Sequence, residues 1–270
     1  MLALLVDRFR VFALTHSSDR MAGLRKAGAI PVLGDLDDPP SLFRLARLAP
    51  TVVHLAPPPS IGRLDSRTRR LVSALGQVER MVYVSTSGVY GDCQGEAIDE
   101  TRGVAPATAR AARRVDAERV LRNWARKSGA RLTILRVPGI YAKGRLPLAR
   151  IAAQTPALVA SEDVFTNHIH ADDLAHIVVA AVLRGAPRRV IHAVDDSVIK
   201  MGDWFDLVAD AHALPRPPRV THEALAKQVA PNLLSFMSES RRLSNARMKM
   251  ELGVQLLYPT VADGLIDTRK

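Results

Sequence analysis

The sequence predicts an α/β protein with a doubly wound parallel sheet and a small C-terminal lobe. Short apolar runs alternate with amphipathic stretches through the first half of the 270-residue chain, which is typical of parallel strands joined by crossover helices. After about residue 137 this alternation loosens, and prolines separate shorter elements there. The predicted buried strands are 10–15, 29–33, 51–56, 80–85 and 131–136.

Helices are predicted between these strands. Ser17 or Ser18 caps one that runs to Gly28, and Pro39 opens another that continues through Leu48. Later in the chain the periodicity predicts helices at 60–75, 106–128, 170–184 and 201–213, and a strand at 190–194.

The basic charge does not by itself predict a nucleic-acid partner. The formal net charge is +11, and 31 of the 38 basic residues are Arg. They are scattered over all the predicted helices, whereas a nucleic-acid surface concentrates its charge and interleaves aromatic side chains. Aromatic residues make up only 4% of the chain, so we expect no nucleic-acid partner.

Cysteine content and hydropathy indicate the compartment. Cys93 is the only cysteine, which rules out an intramolecular disulfide and is compatible with a reducing cytosol. The N-terminal apolar patch is too short for a signal peptide. No apolar run reaches the roughly 18 residues of a membrane span, so we expect a cytoplasmic protein without a membrane partner.

Six segments of the sequence carry recognisable motifs, and the most specific is VYVSTSGVYG at 82–91. The other five are VLGDL at 32–36, VVHLA at 52–56, LRVPGIY at 135–141, NHIHADDLA at 167–175, and Asn245 with Leu252-Gly253. Together and in register, they resemble the extended short-chain dehydrogenase/reductases of the NAD-dependent epimerase/dehydratase type. The segment 82–91 looks like the strand that carries the catalytic Ser or Thr in that family.

The resemblance implies a Rossmann-like nucleotide-binding domain over residues 1–165. Residues 166–270 would add a final helix and strand together with the substrate lobe. A small-molecule substrate is implied, and family members often dimerise through the long helices at 60–75 and 106–128. The implied cofactor-binding residues are Asp35, Leu36, Leu55, Ala56, Ser85, Pro138 and Ile140, with Thr15 and His16 after the second strand position.

The family's N-terminal strand, glycine-rich turn and helix have no counterpart here. That turn lets backbone N–H groups approach the cofactor pyrophosphate. Residues 1–8 resemble the back half of the helix, because 10–15 takes the second-strand position. We expect a truncated chain that lacks roughly 20 to 30 upstream residues, the length of a strand-turn-helix start. The alternative is a natural short form that closes the gap and binds no dinucleotide.

The family's Tyr-x-x-x-Lys pair is also missing. Arg110 and Arg114 stand at the two positions, and a guanidinium cannot act as a general base because it stays protonated. They could bind an anionic substrate together with Arg145, or they could form a solvated basic face.

The remaining catalytic candidates are hydroxyl groups. Thr86 aligns with the catalytic Ser/Thr, although it could simply cap the next turn. Tyr90 could be a substitute acid, although Val-Tyr-Gly is also a structural signature of the family. For the cofactor, the absence of an acidic residue at Thr15-His16 favours NADP over NAD, and binding of either depends on the missing turn.

Two classes of function follow from these residues. The first is an NAD(P)-dependent oxidoreductase or epimerase/dehydratase-like protein that acts on a sugar nucleotide or a small carbonyl or alcohol substrate. The second is a non-catalytic NAD(P)-binding regulatory protein, or a truncated form without cofactor. The spacing of His170, Asp172 and Asp173 indicates helix capping and not a metal site.

Overall fold

The computed structural model describes residues 1–268, without the side chains of Pro231, Asn232 and Phe236. The first part of the chain alternates strands and helices as the sequence predicts. Its elements are α1 (Leu2–Val6), β1 (Phe12–Thr15), α2 (Arg20–Lys26), β2 (Ile30–Leu33), a 3₁₀ helix (Pro39–Arg47), β3 (Thr51–His54), α3 (Ser66–Ala74) and β4 (Arg80–Thr86).

The middle of the chain completes the main sheet and begins the lobe. After a 3₁₀ turn (Ser87–Tyr90), its elements are β5 (Ala97–Ile98), α4 (Ala109–Ser128), β6 (Arg131–Val137), β7 (Gly139–Tyr141), α5 (Leu148–Ala152), β8 (Ala157–Leu158), β9 (Phe165–Thr166), β10 (His168–His170), α6 (Ala171–Arg184) and β11 (Arg189–His192).

The last part of the chain belongs mostly to the lobe. Its elements are β12 (Ile199–Lys200), α7 (Met201–Ala211), β13 (Arg219–Val220), α8 (His222–Gln228), α9 (Pro231–Phe236), β14 (Arg242–Leu243), α10 (Ala246–Leu252) and α11 (Val261–Thr268).

The main sheet has four parallel strands in the order β11-β6-β4-β3. Its central strands are apolar along most of their length, and Met81, Val82 and Tyr83 of β4 are fully buried. Such continuous burial is expected when helices cover both faces of a parallel sheet. The apolar cluster on one face includes α6 and α10, and the cluster on the other includes α4. The predicted α/β fold is therefore confirmed.

The strands β1 and β2 form a separate parallel pair. Among residues 1–268, β1 pairs only with β2, and β3 pairs only with β4. Apolar side chains of this region are exposed, with Leu14, Leu33 and Leu55 at 36%, 53% and 45%. In residues 1–268, the pair β1-β2 and the main sheet are therefore not joined by hydrogen-bonded strands.

Two predicted helices differ from the observed elements. The helix expected from residue 60 begins at Ser66, because Gly62 has a φ of 80° and Asp65 caps the helix. The Asp65 carboxylate accepts hydrogen bonds from the backbone N–H and the hydroxyl of Thr68 at 3.0 and 2.7 Å. The segment Pro39–Arg47 is a 3₁₀ helix, a tighter form than the α-helix expected from its sequence.

The lobe surrounds a second apolar cluster at the carboxyl end of the main sheet. Trp204 and Phe205 of α7 pack there with Tyr141. Short strand pairs connect distant segments, and β14 lies parallel to β5 on the loop after β4. Within residues 1–268, no helix is long and apolar enough to cross a membrane.

Candidate functional site

A cleft of about 390 Å³ opens between the carboxyl ends of β4 and β6 and the lobe. Open parallel sheets bind their ligands at this edge. The segment Thr86–Gly88 lines it from the sheet side, and so does Pro138–Ile140. Of the predicted site residues, Thr86, Pro138, Ile140, Arg110 and Arg145 therefore share one cavity.

The cleft is strongly cationic. Four guanidinium groups line it, and Glu239 is the only carboxylate among its lining residues. Arg241 donates to Glu239 Oε2 at 2.9 Å and to the Gly91 carbonyl at 2.6 Å, which fixes its position. This excess of positive charge suits an anionic ligand. The four cations are Arg110, Arg145, Arg150 and Arg241.

Thr86 is the last residue of β4, and its side chain caps the following turn at the wall of the cleft, while its catalytic role stays a prediction. Its Oγ1 accepts a hydrogen bond from the Gly88 backbone N–H at 3.3 Å, as a cap does. The same side chain is half-buried at the cleft wall. A hydroxyl has two lone pairs and one proton, so the capping bond leaves Thr86 able to bond a ligand.

Tyr90 lies in a buried network beside the cleft and is not among its lining residues. Its hydroxyl accepts from Arg136 Nη1 at 2.7 Å and lies 2.6 Å from His192 Nε2. The Ser244 carbonyl can only accept, so His192 Nδ1 donates to it at 2.9 Å, and Nε2 of the neutral ring accepts the Tyr90 proton. Burial raises the pKa of Tyr90, and the nearby Arg136 only partly offsets this effect. These contacts favour a structural role for Tyr90, and its catalytic role stays a prediction.

Ser85 also points into this network. Its hydroxyl donates to Glu118 Oε1 at 2.7 Å, and Glu118 receives two further bonds from Arg136 at 3.1 and 2.7 Å. Ser85 and Thr86 are consecutive on a strand, so their side chains leave opposite faces. This explains why Thr86 reaches the cleft and Ser85 faces α4.

Arg110 and Arg114 are one helical turn apart but have different surroundings. Arg110 lines the cleft, and burial lowers its pKa while Glu239 raises it. Arg114 lies outside the lining residues and donates to the Tyr83 hydroxyl at 3.0 Å and the Val84 carbonyl at 3.1 Å. Its predicted role in substrate binding remains untested, and its bonds tie α4 to β4.

The other predicted cofactor residues follow β1, β2 and β3, away from the cleft. Leu36 and Ala56 pack in one apolar cluster, whereas Leu55 and His16 are exposed. The remaining two stabilise local turns: Thr15 Oγ1 accepts from the Ser17 N–H, and Asp35 Oδ1 accepts from the Asp37 N–H. The carboxyl ends of three strands thus present these six residues, whose cofactor role stays a prediction.

Aromatic side chains form the wall that the sequence motifs did not indicate. His168 lies over Trp204 with ring centroids 4.4 Å apart, and Phe165 lines the cleft near them. Burial lowers the pKa of His168 to about 3, so the ring is neutral near pH 7. The Nδ1 of His168 is buried and has no hydrogen-bond partner in the described part of the chain. Only the pairing of β10 with β7 brings His168 to the cleft.

The segment 237–241 forms part of the cleft wall. Met237, Glu239 and Arg241 line the cavity. The segment is anchored to the loop after β4, because the Ser240 carbonyl accepts from the backbone N–H groups of Cys93 and Gly95 at 3.0 Å. Burial raises the pKa of the Cys93 thiol, so it is not activated as a nucleophile. Across residues 1–268, no group of three or more His, Cys, Asp or Glu could hold a metal ion.

Comparison with known proteins identifies the fold and the family. Residues 2–193 match the model of the NAD dependent epimerase/dehydratase family. No curated protein matches the sequence. A functionally unknown conserved protein from Silicibacter pomeroyi is 28% identical, with a TM-score of 0.80 over 99% of this chain and 92% of that chain.

Two enzymes of known activity share the fold at lower identity. UDP-glucuronic acid 4-epimerase from Bacillus cereus, in complex with NAD, is 15% identical with a TM-score of 0.76, covering 99% of this chain and 92% of that chain. UDP-glucose 4-epimerase from Thermotoga maritima, with UDP-glucose, is 16% identical with a TM-score of 0.77, covering 98% and 91%. The family match extends over more than half of the sequence, from α1 to the end of β11, and includes Thr86 and the Pro138–Ile140 segment. The chain therefore belongs to the NAD-dependent epimerase/dehydratase family.

Proposed function

We propose that the cleft binds a phosphorylated sugar of the nucleotide-sugar type. One observation carries the proposal: Thr86, the Pro138–Ile140 segment and four guanidinium groups line a single cavity at the carboxyl edge of the sheet. Arginine binds phosphate in a planar, charge-assisted geometry. The structural neighbours that bind UDP-glucose or act on UDP-sugars support this ligand class.

The roles of the lining residues follow from their chemistry. Arg110, Arg145 and Arg241 bind the phosphates, and Arg150 is held over the Phe205 ring at 4.3 Å. Phe165, which is half-buried in the cleft lining, offers apolar surface to a sugar or base. The Thr86 hydroxyl bonds an alcohol or carbonyl oxygen of the sugar.

The residues present fit only part of a dinucleotide cofactor. Pro138 and Ile140 line the cleft where a nicotinamide would lie, and Asp35 and Leu36 follow β2 on the adenine side. The pyrophosphate requires a glycine-rich turn before a helix N-terminus. Among residues 1–268, neither α1, which precedes β1, nor any helix between β1 and β3 begins with such a turn. A whole dinucleotide therefore does not fit the described residues. If one binds, the neutral Thr15 and exposed His16 favour NADP.

Two activities are compatible with the proposed ligand. NAD(P)-dependent oxidoreductase or epimerase/dehydratase chemistry is supported by the position of Thr86 in the cleft. Non-catalytic binding is supported by Arg110, which cannot replace a tyrosine as acid or base. Burial raises the pKa of Tyr141, a phenol in the cleft lining, far above neutral pH, and its hydroxyl donates to the Thr260 carbonyl at 3.3 Å. These groups favour binding without proton transfer. We further propose a homodimer through α3 and α4.

Calorimetric titration with UDP-glucose tests the binding proposal. Arg145→Gln should weaken binding about tenfold or more, because a bond between charged groups contributes roughly 1.5–3 kcal/mol. Arg25→Gln on α2 is the matched control, since Arg25 is exposed and lies outside the cleft. Equal affinity of both variants would reject the site. Incubation of UDP-glucose with NAD or NADP then separates the two activities. An oxidoreductase produces reduced cofactor, which absorbance detects, and an epimerase or dehydratase produces a different sugar nucleotide without net change in the cofactor, which chromatography detects. A protein that only binds the ligand does neither.

A further inference from the structure

Glu239 supplies the negative charge of the cleft, and it lies with two of the four cations there. Its Oε2 accepts a hydrogen bond from Arg241 Nη1 at 2.9 Å. Burial lowers the pKa of Arg110, and the negative charge of Glu239 opposes this effect, so the carboxylate is also within electrostatic range of that second guanidinium. Glu239 therefore acts on two of the three arginines that we assign to the ligand phosphates.

Water screens this carboxylate only weakly. The side chains of Glu239 and Arg241 are 12% and 11% exposed. Charges in such partly buried surroundings interact more strongly than charges in bulk water, and salt screens them less. A phosphate that contacts Arg241 would thus be repelled by Glu239 and would also compete with it for the same guanidinium.

The bond between Arg241 and Glu239 is one that a phosphate can replace. Arg241 uses a single nitrogen, Nη1, both for Glu239 and for the Gly91 carbonyl, which accepts at 2.6 Å. A guanidinium binds phosphate most strongly through two parallel N–H bonds. A phosphate bound in this way would be a stronger partner for Arg241 than the carboxylate is.

The backbone next to Glu239 is anchored, so the exchange requires only a rotation of the side chain. The Ser240 N–H donates to Asp92 Oδ1 at 2.8 Å, and the Ser240 hydroxyl accepts from the Phe165 N–H at 3.0 Å. We propose that Glu239 is an internal competitor of the ligand. Its carboxylate occupies an anion position beside Arg241 and leaves this position when a phosphate binds. The inference rests on the proposed function of the cleft and identifies the residue that limits its affinity for anions.

Calorimetric titration of the full chain with UDP-glucose and with inorganic pyrophosphate tests the proposal. Glu239→Gln removes the charge and should bind both anions about tenfold more tightly, because a hydrogen bond to a charged group contributes about this factor. Glu239→Asp keeps the charge in the cleft and should show much less of this gain. Glu79→Gln is the matched control, since Glu79 is exposed and lies before the amino end of β4, outside the cleft.

Thermal unfolding without ligand separates competition from a purely structural role. Glu239→Gln leaves Arg241 without its carboxylate, so the variant should melt at a lower temperature although it binds anions more tightly. A structural role alone would lower both the melting temperature and the affinity.

The outcomes for the two anions distinguish this inference from the proposed function. If the unmodified protein binds UDP-glucose and Glu239→Gln binds it no more tightly, the competition is overturned and the nucleotide-sugar cleft stands. If neither protein binds UDP-glucose but Glu239→Gln binds pyrophosphate more tightly than the unmodified protein, the nucleotide-sugar proposal fails and the competition stands. The competition is also overturned if Glu239→Asp gains as much affinity as Glu239→Gln, or if neither protein binds either anion.

Discussion

Replacing Arg136 by methionine should remove the central cation of the buried network. The side chains of Arg136 and Glu118 are only 4% and 5% exposed, and their closest atoms are 2.7 Å apart. Removal of one partner from a buried ion pair costs about 3–5 kcal/mol, because the other charge stays buried. The variant Arg136→Met also removes the donor to the Tyr90 hydroxyl. We therefore expect a loss of about 3–5 kcal/mol in the free energy of unfolding at pH 7.

The loss of stability in Arg136→Met should depend on pH, in a direction that follows from the pKa of Glu118. Burial raises the pKa of Glu118, but the bonds from Arg136 and Ser85 outweigh it and leave that pKa below its ordinary value. The pair therefore contributes stability above the ordinary carboxylate pKa, and this stability is lost as the pH falls. Without Arg136, burial dominates and favours protonation of Glu118. The deficit of the variant should thus be largest at neutral pH and shrink on acidification.

Urea unfolding followed by circular dichroism at pH 7 and pH 4.5 measures both effects. The double variant Glu118→Leu with Arg136→Met is the control, because replacement of both partners by apolar groups is often close to neutral. The reasoning is refuted if Arg136→Met loses less than about 1 kcal/mol at pH 7, where the pair should contribute most, or if its deficit grows as the pH falls.

Three further predictions concern the backbone and buried titratable groups. Gly91→Ala should lower the free energy of unfolding by about 2 kcal/mol and the melting temperature with it. The φ of Gly91 is 65°, and a Cβ there would collide with the Ala105 carbonyl. An unchanged thermal transition would contradict this prediction. Asp195→Asn should stabilise the protein more at pH 8 than at pH 5. Burial raises the pKa of Asp195 to about 7, and a carboxyl with a raised pKa lowers the stability of the folded state as the pH rises through that value. Urea unfolding at both pH values checks which stabilisation is larger. His54→Gln should reduce the loss of stability below pH 6.5. Burial lowers the pKa of His54 to about 3, so protons bind the unfolded chain more strongly and favour unfolding as the pH falls. An acid-unfolding curve identical to that of the unmodified protein would argue against this prediction.

The strand and helix order could be predicted because buried strands such as Arg80–Thr86 are apolar runs bounded by breakers. Thr86 could be placed at the site because the segment 82–91 resembles the strand that carries the catalytic Ser or Thr in the family. The start of α3 could not be predicted. The preceding loop has a helix-like periodic pattern, but the helix begins only after the Asp65 cap.

The features that could not be predicted from the sequence depend on contacts between distant segments of the chain. His192 bonds Tyr90 across 102 positions of the sequence, and Arg241 bonds Gly91 across 150. No pattern within a single segment of the sequence predicts such pairs. The same limit applies to His168, which reaches the cleft only through the pairing of β10 with β7.

Calorimetric titration of the protein with UDP-glucose, with and without Arg145→Gln and Thr86→Val, tests the nucleotide-sugar cleft most directly. The account predicts saturable binding to the unmodified protein, weakened about tenfold by loss of the guanidinium and less by loss of the hydroxyl, with Arg25→Gln unaffected. Absence of binding, or binding that neither cleft variant weakens, would contradict it.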